Sequence, residues 1–74
     1  MSKEEFLKSM AEILELDEVN ENLELDDDIW NSLSIVSTIA LIDENFNITI
    51  SGDLLNNCKT IGDLWKLIEE KINH

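Results

Sequence analysis

The sequence predicts an all-α protein, a four-helix bundle of three longer helices and one short helix. Apolar residues recur at spacings of three and four in three stretches, which is the pattern of amphipathic helices. A serine or threonine followed three residues later by an acid precedes the first and last of these stretches, as in a capping box. The chain has no proline and only two glycines, so little interrupts a helix. We expect residues 1–74 to form a single domain with a long loop between helices one and two.

The first helix is predicted to begin after Ser2, whose side chain forms a capping box with Glu5. The helical pattern fades over residues 15–17. A helix with one apolar stripe packs that stripe against the rest of the bundle. The stripe here comprises Phe6, Leu7, Met10, Ile13 and Leu14.

The loop predicted over residues 17–31 is strongly acidic. The chain carries seventeen Asp and Glu against five Lys and Arg, a net charge of −12, and nine of the acids lie between Glu12 and Asp28. This charge excludes nucleic acids and anionic membranes as partners, because both bind cationic side chains. It favours partners with basic patches. Apolar residues interrupt the acids, so we expect a tethered loop rather than disorder, pinned to the core by Leu23, Leu25, Ile29 and Trp30.

The second helix is predicted over residues 32–45, with Asn31 or Ser32 as its capping residue. It is apolar over much of its circumference. Such a helix is central in the bundle, or part of its surface is exposed for a partner.

The remaining third of the chain is predicted to add a linker and two helices. Ile48 and Ile50 lie in an extended linker with both side chains pointing inward. A short helix is predicted over residues 53–57. Thr60 caps the last helix, with Asp63 at the capping-box position.

Neither a disulfide nor a cysteine nucleophile is predicted. Cys58 is the only cysteine, and a small buried thiol is its simplest interpretation. A nucleophile would need a base, and the only histidine is His74 at the end of the chain. No signal peptide or membrane-spanning run is present, so we expect a cytoplasmic protein. We also expect a monomer.

The acids Asp26, Asp27 and Asp28 raise the possibility of a calcium site. An EF-hand loop needs glycine at position six and glutamate at position twelve. Counted from Asp26, these positions hold Asn31 and Ser37. We therefore predict no metal site.

Ser32 stands where the acidic loop meets the apolar second helix. Backbone amides and the helix dipole favour an anion at a helix N-terminus, so a phosphodiester on Ser32 would lie in a favourable field. A serine at this position would also be accessible to a modifying enzyme. The alternative is that Ser32 serves only as a helix cap, which is a common role for serine.

Three stretches in register resemble the acyl carrier protein family. The family places a pantetheinylated serine in an Asp-Ser-Leu motif at the start of helix two, and this chain reads Asn31-Ser32-Leu33. That helix ends in acids and a phenylalanine before an Ile-x-Ile segment, here Asp43-Glu44-Asn45-Phe46 and Ile48-Thr49-Ile50. The stretch Thr60-Ile61-Gly62-Asp63 is similar to the family's Thr-Val-Gly-Asp sequence. The resemblance covers nearly the full chain.

The resemblance implies a carrier rather than an enzyme. A phosphopantetheinyl transferase with Mg²⁺ would transfer 4'-phosphopantetheine from coenzyme A to Ser32, and the terminal thiol would hold an acyl group as a thioester. Acyl-transfer, synthase or ligase enzymes of fatty acid, polyketide or related acyl biosynthesis would be the partners. Candidate docking residues are Asn31, Leu33, Val36, Asp43 and Glu44. Candidates for lining the acyl chain, with core packing as their simpler role, are Leu33, Val36, Ile39, Phe46, Ile48, Ile61 and Leu64.

The chain departs from the family pattern around the serine. Asn31 replaces the usual aspartate, and Ile29 and Trp30 stand where a glycine is common. Ser34 and Ser37 occupy positions that are commonly acidic in carriers of primary fatty acid synthesis. This neutral start of helix two predicts a different set of partners and a discrete carrier of an accessory or specialised pathway.

Two alternatives stay open on the sequence. An aminoacyl carrier, for D-alanine or for a growing peptide, shares the fold and the serine. A helical interaction module would carry no arm and would use Ser32 only as a cap.

Overall fold

The computed structural model describes residues 1–73 and confirms the predicted helical bundle. Within these residues the only extended pairing is one isolated antiparallel bridge between Glu24 and Thr60. His74 lies outside the described residues. The helices, each within one residue of its predicted start, are α1 (Lys3–Leu14), α2 (Ser32–Phe46), α3 (Gly52–Asn56) and α4 (Ile61–Ile72).

Local signals set the ends of α1 and α2. Ser2 accepts the Glu5 amide and Glu5 accepts the Ser2 amide, so the predicted capping box is present. At their C-terminal ends, α1 and α2 stop where Glu15 and Asn47 adopt left-handed backbone conformations, with φ of 58° and 56°. The loop between the two helices therefore begins slightly earlier than predicted, at Glu15.

The hydrophobic core collects the apolar faces of all four helices. The Phe6 and Trp65 rings pack with centroids 5.4 Å apart, and Phe46 meets Trp65 edge-on at 5.9 Å. These contacts join α1 and α4 to the end of α2. Phe46 and Trp65 are partly buried, whereas Phe6 is fully buried together with Met10, Ile42, Ile50, Leu55, Ile61, Leu64 and Ile68.

Backbone hydrogen bonds hold the loop over residues 15–31 against the start of α4. The Leu25 amide donates to the Lys59 carbonyl oxygen over 2.7 Å, and the Ile61 amide donates to the Leu23 carbonyl oxygen over 3.1 Å. The apolar side chains predicted to pin the loop are packed against the core or buried in it. The prediction of a tethered loop is confirmed, and main-chain bonds supply much of the tether.

Gly62 allows the loop to come this close to α4. Its amide donates to the Glu21 carbonyl oxygen over 2.9 Å. A Cβ atom at position 62 would lie 3.1 Å from that oxygen, which is tighter than ordinary van der Waals contact. Lys3 of α1 also forms an ion pair with Glu21. The glycine of the Thr60–Asp63 stretch thus serves a tertiary contact.

Asp63 gives the fold a predictable response to acid. Its carboxylate accepts the Lys59 amide at 3.0 Å and the Thr60 amide at 3.2 Å. These backbone hydrogen bonds hold the pKa of Asp63 below its ordinary value of 3.8. Because the pKa is lowered in the folded state, the stabilisation is complete above the ordinary value. It is lost as the pH falls through the folded-state value.

We expect Asp63→Asn to melt at a lower temperature than the parent protein at neutral pH, with the difference narrowing as the pH falls below about 3.8. Thermal melts of both proteins across an acid titration measure this difference. Asp27→Asn, which removes an exposed loop carboxylate, is the matched control and should not melt at a lower temperature than the parent protein at neutral pH. A difference that stays constant with pH would contradict the role of the Asp63 carboxylate.

Candidate functional site

Asn31 caps the helix that carries Ser32. Its Oδ1 accepts the Leu33 amide at 3.1 Å and the Ser34 amide at 3.2 Å, and its backbone is extended as in other N-cap residues. Of the two capping residues that the sequence allowed, Asn31 is the one used. An amide oxygen satisfies these donors as an aspartate would, without adding charge.

The buried side chain of Ser34 supplies the second half of this cap. Its hydroxyl accepts the Asn31 amide at 2.9 Å and donates to the Ile29 carbonyl oxygen at 2.8 Å. Ser34 is only 6 % exposed, so it does not contribute to the surface at the neutral start of helix two. The hydroxyl replaces the Glu or Gln that usually closes a capping box, so this capping box lacks the usual sequence signature. Ser37, one turn further on, is half-buried.

Ser32 is the first residue of α2 and is exposed to solvent. Because Asn31 supplies the capping oxygen, the cap does not need the Ser32 hydroxyl, and no hydrogen bond within residues 1–73 engages it. The interpretation of Ser32 as only a cap is therefore wrong. An accessible primary alcohol at the positive end of a 15-residue helix fits a covalently attached phosphate group.

Trp30 is buried next to the start of α2 and bonds to α3. Its ring is 5 % exposed, and its Nε1 donates to the Leu55 carbonyl oxygen of α3 over 2.9 Å. The bond satisfies the one polar atom of a buried indole. The sequence predicted that Trp30 reaches the core but carried no sign of this partner.

The apolar and acidic docking candidates share one exposed face of α2. Leu33 is 78 % exposed and Val36 is 61 % exposed. Asp43 and Glu44 are exposed near the other end of the helix, about 16 Å along its axis from Ser32. Their helical spacing places all four side chains on the same side of α2.

The half of this face nearest Ser32 carries no charge. No residue from 29 to 42 is charged, although the whole chain has a net charge of −12. Asn31, the remaining docking candidate, is exposed beside Leu33. The α2 face next to the serine is thus apolar and neutral, whereas Glu15 and Asp28 line a cleft beside Asn31 and the acids of α2 lie at the far end of the helix.

The residues predicted to line an acyl chain fall into two groups. Leu33 and Val36 face solvent. The others lie in the core or against it: Ile39, Phe46, Ile48, Ile61 and Leu64. Their packing role is visible, and their role in lining an acyl chain stays a prediction.

Cys58 is a buried thiol, as predicted. Burial, and to a lesser extent the nearby Asp63 carboxylate, raises the pKa of Cys58 to about 11. The thiol stays protonated at neutral pH, and it lies 3.5 Å from the Leu54 carbonyl oxygen to which it donates. Cys58 is therefore a packing residue. Among residues 1–73, no three His, Cys, Asp or Glu side chains are grouped so that they could hold a metal ion.

The helical bundle with an accessible serine at the start of α2 fits one class of protein, the small carrier domain that holds a group covalently. The family model described as the phosphopantetheine attachment site matches residues 4–68, and the chain belongs to this family. Its prosthetic group is 4'-phosphopantetheine, attached covalently.

The chain is similar to the acyl carrier protein of Acidothermus cellulolyticus. The two are 34 % identical over 70 residues, covering 85 % of this chain and 83 % of that protein. No solved structure matches the chain. The resemblance to acyl carrier proteins is confirmed, and with it a carrier role in which transferases and synthases are the interacting enzymes. None of the helices in residues 1–73 has the length and apolar character needed to cross a bilayer.

Proposed function

We propose that Ser32 carries the 4'-phosphopantetheine arm. We also propose that the protein holds acyl groups on it as thioesters for enzymes of fatty acid, polyketide or related acyl biosynthesis. The observation that carries this proposal is the exposed Ser32 hydroxyl, left free because Asn31 provides the cap. The position of Ser32 in the Asn31-Ser32-Leu33 stretch, in register with Phe46 and with Thr60–Asp63, supports the same assignment.

The residues around Ser32 prepare it for attachment. The paired side chains of Asn31 and Ser34 hold the first turn of α2, so the backbone that carries Ser32 keeps a fixed position at the helix end. A transferase with Mg²⁺ and coenzyme A would form the phosphodiester at the Ser32 oxygen. The serine proton and the adenosine bisphosphate of coenzyme A leave. The helix dipole stabilises the new negative charge by about 0.3–1 kcal/mol. When bound, the arm supplies a flexible thiol for thioester formation.

Incubation with coenzyme A, Mg²⁺ and a promiscuous phosphopantetheinyl transferase tests the assignment. We expect the intact mass to rise by one phosphopantetheine group, and peptide mapping to place the group on Ser32. The mapping discriminates well because the chain has five other serines, at positions 2, 9, 34, 37 and 51. No gain in mass, or a group on another serine, overturns the proposal.

We also propose that partner enzymes dock on the neutral part of the α2 face, through Leu33 and Val36. Truncating either exposed side chain removes apolar contact with the partner but no core packing. We expect Leu33→Ala and Val36→Ala each to raise the KM of the transferase for the unmodified protein about tenfold, with kcat unchanged. Stability should change by no more than about 0.5 kcal/mol. Steady-state kinetics and thermal melts measure the two effects.

The matched control for this prediction is Leu54→Ala on α3, which truncates an exposed leucine that lines a cleft with Leu67 and Glu70 of α4. It should leave the KM unchanged. A different set of KM changes would show that partners dock on the acidic end of α2 instead. In that case Asp43→Asn and Glu44→Gln raise the KM while Leu33→Ala and Val36→Ala do not.

A further inference from the structure

The buried indole of Trp30 lies next to the attachment position. Trp30 is two residues before Ser32, and its Nε1 bond to the Leu55 carbonyl oxygen joins the end of the loop to α3. Trp30 and Leu55 belong to the same core cluster as Ile35 of α2. The largest side chain of the core thus lies beneath the start of α2, on the side that faces α3.

The helices on this side also approach closely. At Gly52, the first residue of α3, the gap to α2 is about one carbon atom wide, since an added Cβ atom would lie in ordinary contact with Ile39 and Ile35 at 3.8 and 3.9 Å. The indole near Ser32 and this narrow gap further along α2 leave little space between α2 and α3.

The other side of the serine offers an apolar chain little shelter. A cleft of about 270 Å³ runs beside Asn31 toward the end of α1. Glu15, Asp28, Ser34 and Ser37 line it together with apolar residues, and the Ser34 hydroxyl bonds across its base to the Ile29 carbonyl oxygen. An apolar chain would have to displace water from these carboxylates and hydroxyls, which is unfavourable.

We infer that Trp30 keeps the cargo of the arm outside the core, so that this carrier is suited to short or polar acyl groups, aminoacyl groups included. The inference rests on the attachment of the arm to Ser32. A long apolar chain would stay exposed to water, which is unfavourable in free energy. A short or polar group gains little free energy from burial, so its exposure costs little. The inference differs from the prediction that Ile39, Ile61 and Leu64 line an acyl chain, and one experiment decides between them.

The experiment compares two cargoes on the same protein. Transferase reactions with acetyl-coenzyme A and octanoyl-coenzyme A give the two acylated forms, and intact mass confirms loading. We expect both forms of the parent protein to melt at the same temperature and to show the same amide chemical shifts for Ile35, Leu55 and Ile61. A higher melting temperature for the octanoyl form, with shifted core amides, would show that the chain enters the core and would overturn the inference.

A smaller side chain tests the role of Trp30 itself. In Trp30→Leu we expect the octanoyl form to melt about 4 °C or more above the acetyl form, because the space left by the indole admits the chain. Trp65→Leu is the matched control, since Trp65 packs with Phe6 and Phe46 instead, and it should show no such gain. If the acetyl and octanoyl forms of Trp30→Leu melted at the same temperature, Trp30 would not be the residue that keeps the chain out of the core. If that variant does not fold, the comparison on the parent protein still decides. Failure of the proposed attachment is separate, because it leaves no acyl mass on the protein.

Discussion

Ser32→Ala is expected to abolish phosphopantetheine loading and to leave the fold intact. The variant removes the only atom that would accept the phosphoryl group. The cap of α2 is unaffected, because Asn31 and Ser34 supply its hydrogen bonds. Alanine is also favourable in the first turn of a helix. We expect no gain in mass with coenzyme A and transferase, and a free energy of unfolding within about 0.5 kcal/mol of the parent.

The matched control for this variant is Ser37→Ala. Ser37 lies on the same helix and is half-buried, and it should be dispensable for loading. Intact mass after the transferase reaction and circular dichroism melts of both variants give the comparison. Loading of Ser32→Ala to the level of the parent would refute the assignment. A loss of its melting transition would show instead that Ser32 has a structural role.

Phe6→Ala is expected to lower the free energy of unfolding by about 3–5 kcal/mol, the range for truncating a buried aromatic side chain. Phe6 is fully buried, and its ring packs on Trp65 at 5.4 Å, which joins α1 to α4. A domain of this size has about 4–11 kcal/mol of total stability, so the loss is a large share of it. Urea denaturation followed by circular dichroism measures the change.

Phe6→Leu is the control that separates volume from ring contacts. It keeps most of the apolar volume and loses the aromatic pair, so a smaller loss of about 1 kcal/mol is expected. Equal losses in both variants would mean that the aromatic pair dominates. A Phe6→Ala variant as stable as the parent would contradict the packing of α1 against α4.

The helices and most of their boundaries could be predicted because their signals are local. The Ser2–Glu5 box and the Thr60–Asp63 box each lie within one turn, and an amphipathic stripe needs only a few turns of sequence. The short α3 was also found, one residue late, from its turn-forming residues. These features depend on neighbours three or four positions away, so the order of residues is enough to reveal them.

The polar contacts around the site could not be predicted, because their partners are distant in sequence. The Trp30 indole donates a hydrogen bond to a carbonyl oxygen 25 residues away. Position 62 favours glycine because the Glu21 carbonyl oxygen leaves little space for a side chain. The sequence carries no sign that Ser34 is buried, because polar side chains are usually exposed. Its burial follows from its reach to the Asn31 amide and the Ile29 carbonyl oxygen.

The sequence by itself determined the helical class, the acidic loop and the candidate serine, since periodicity, charge and motif register are properties of the chain order. Only the tertiary structure decided what surrounds Ser32. It assigned the cap to Asn31, exposed Leu33 and Val36, and placed the Trp30 indole against α3. The physical reason is that a helix dictates which residues share a face, whereas burial of that face depends on the elements that pack against it.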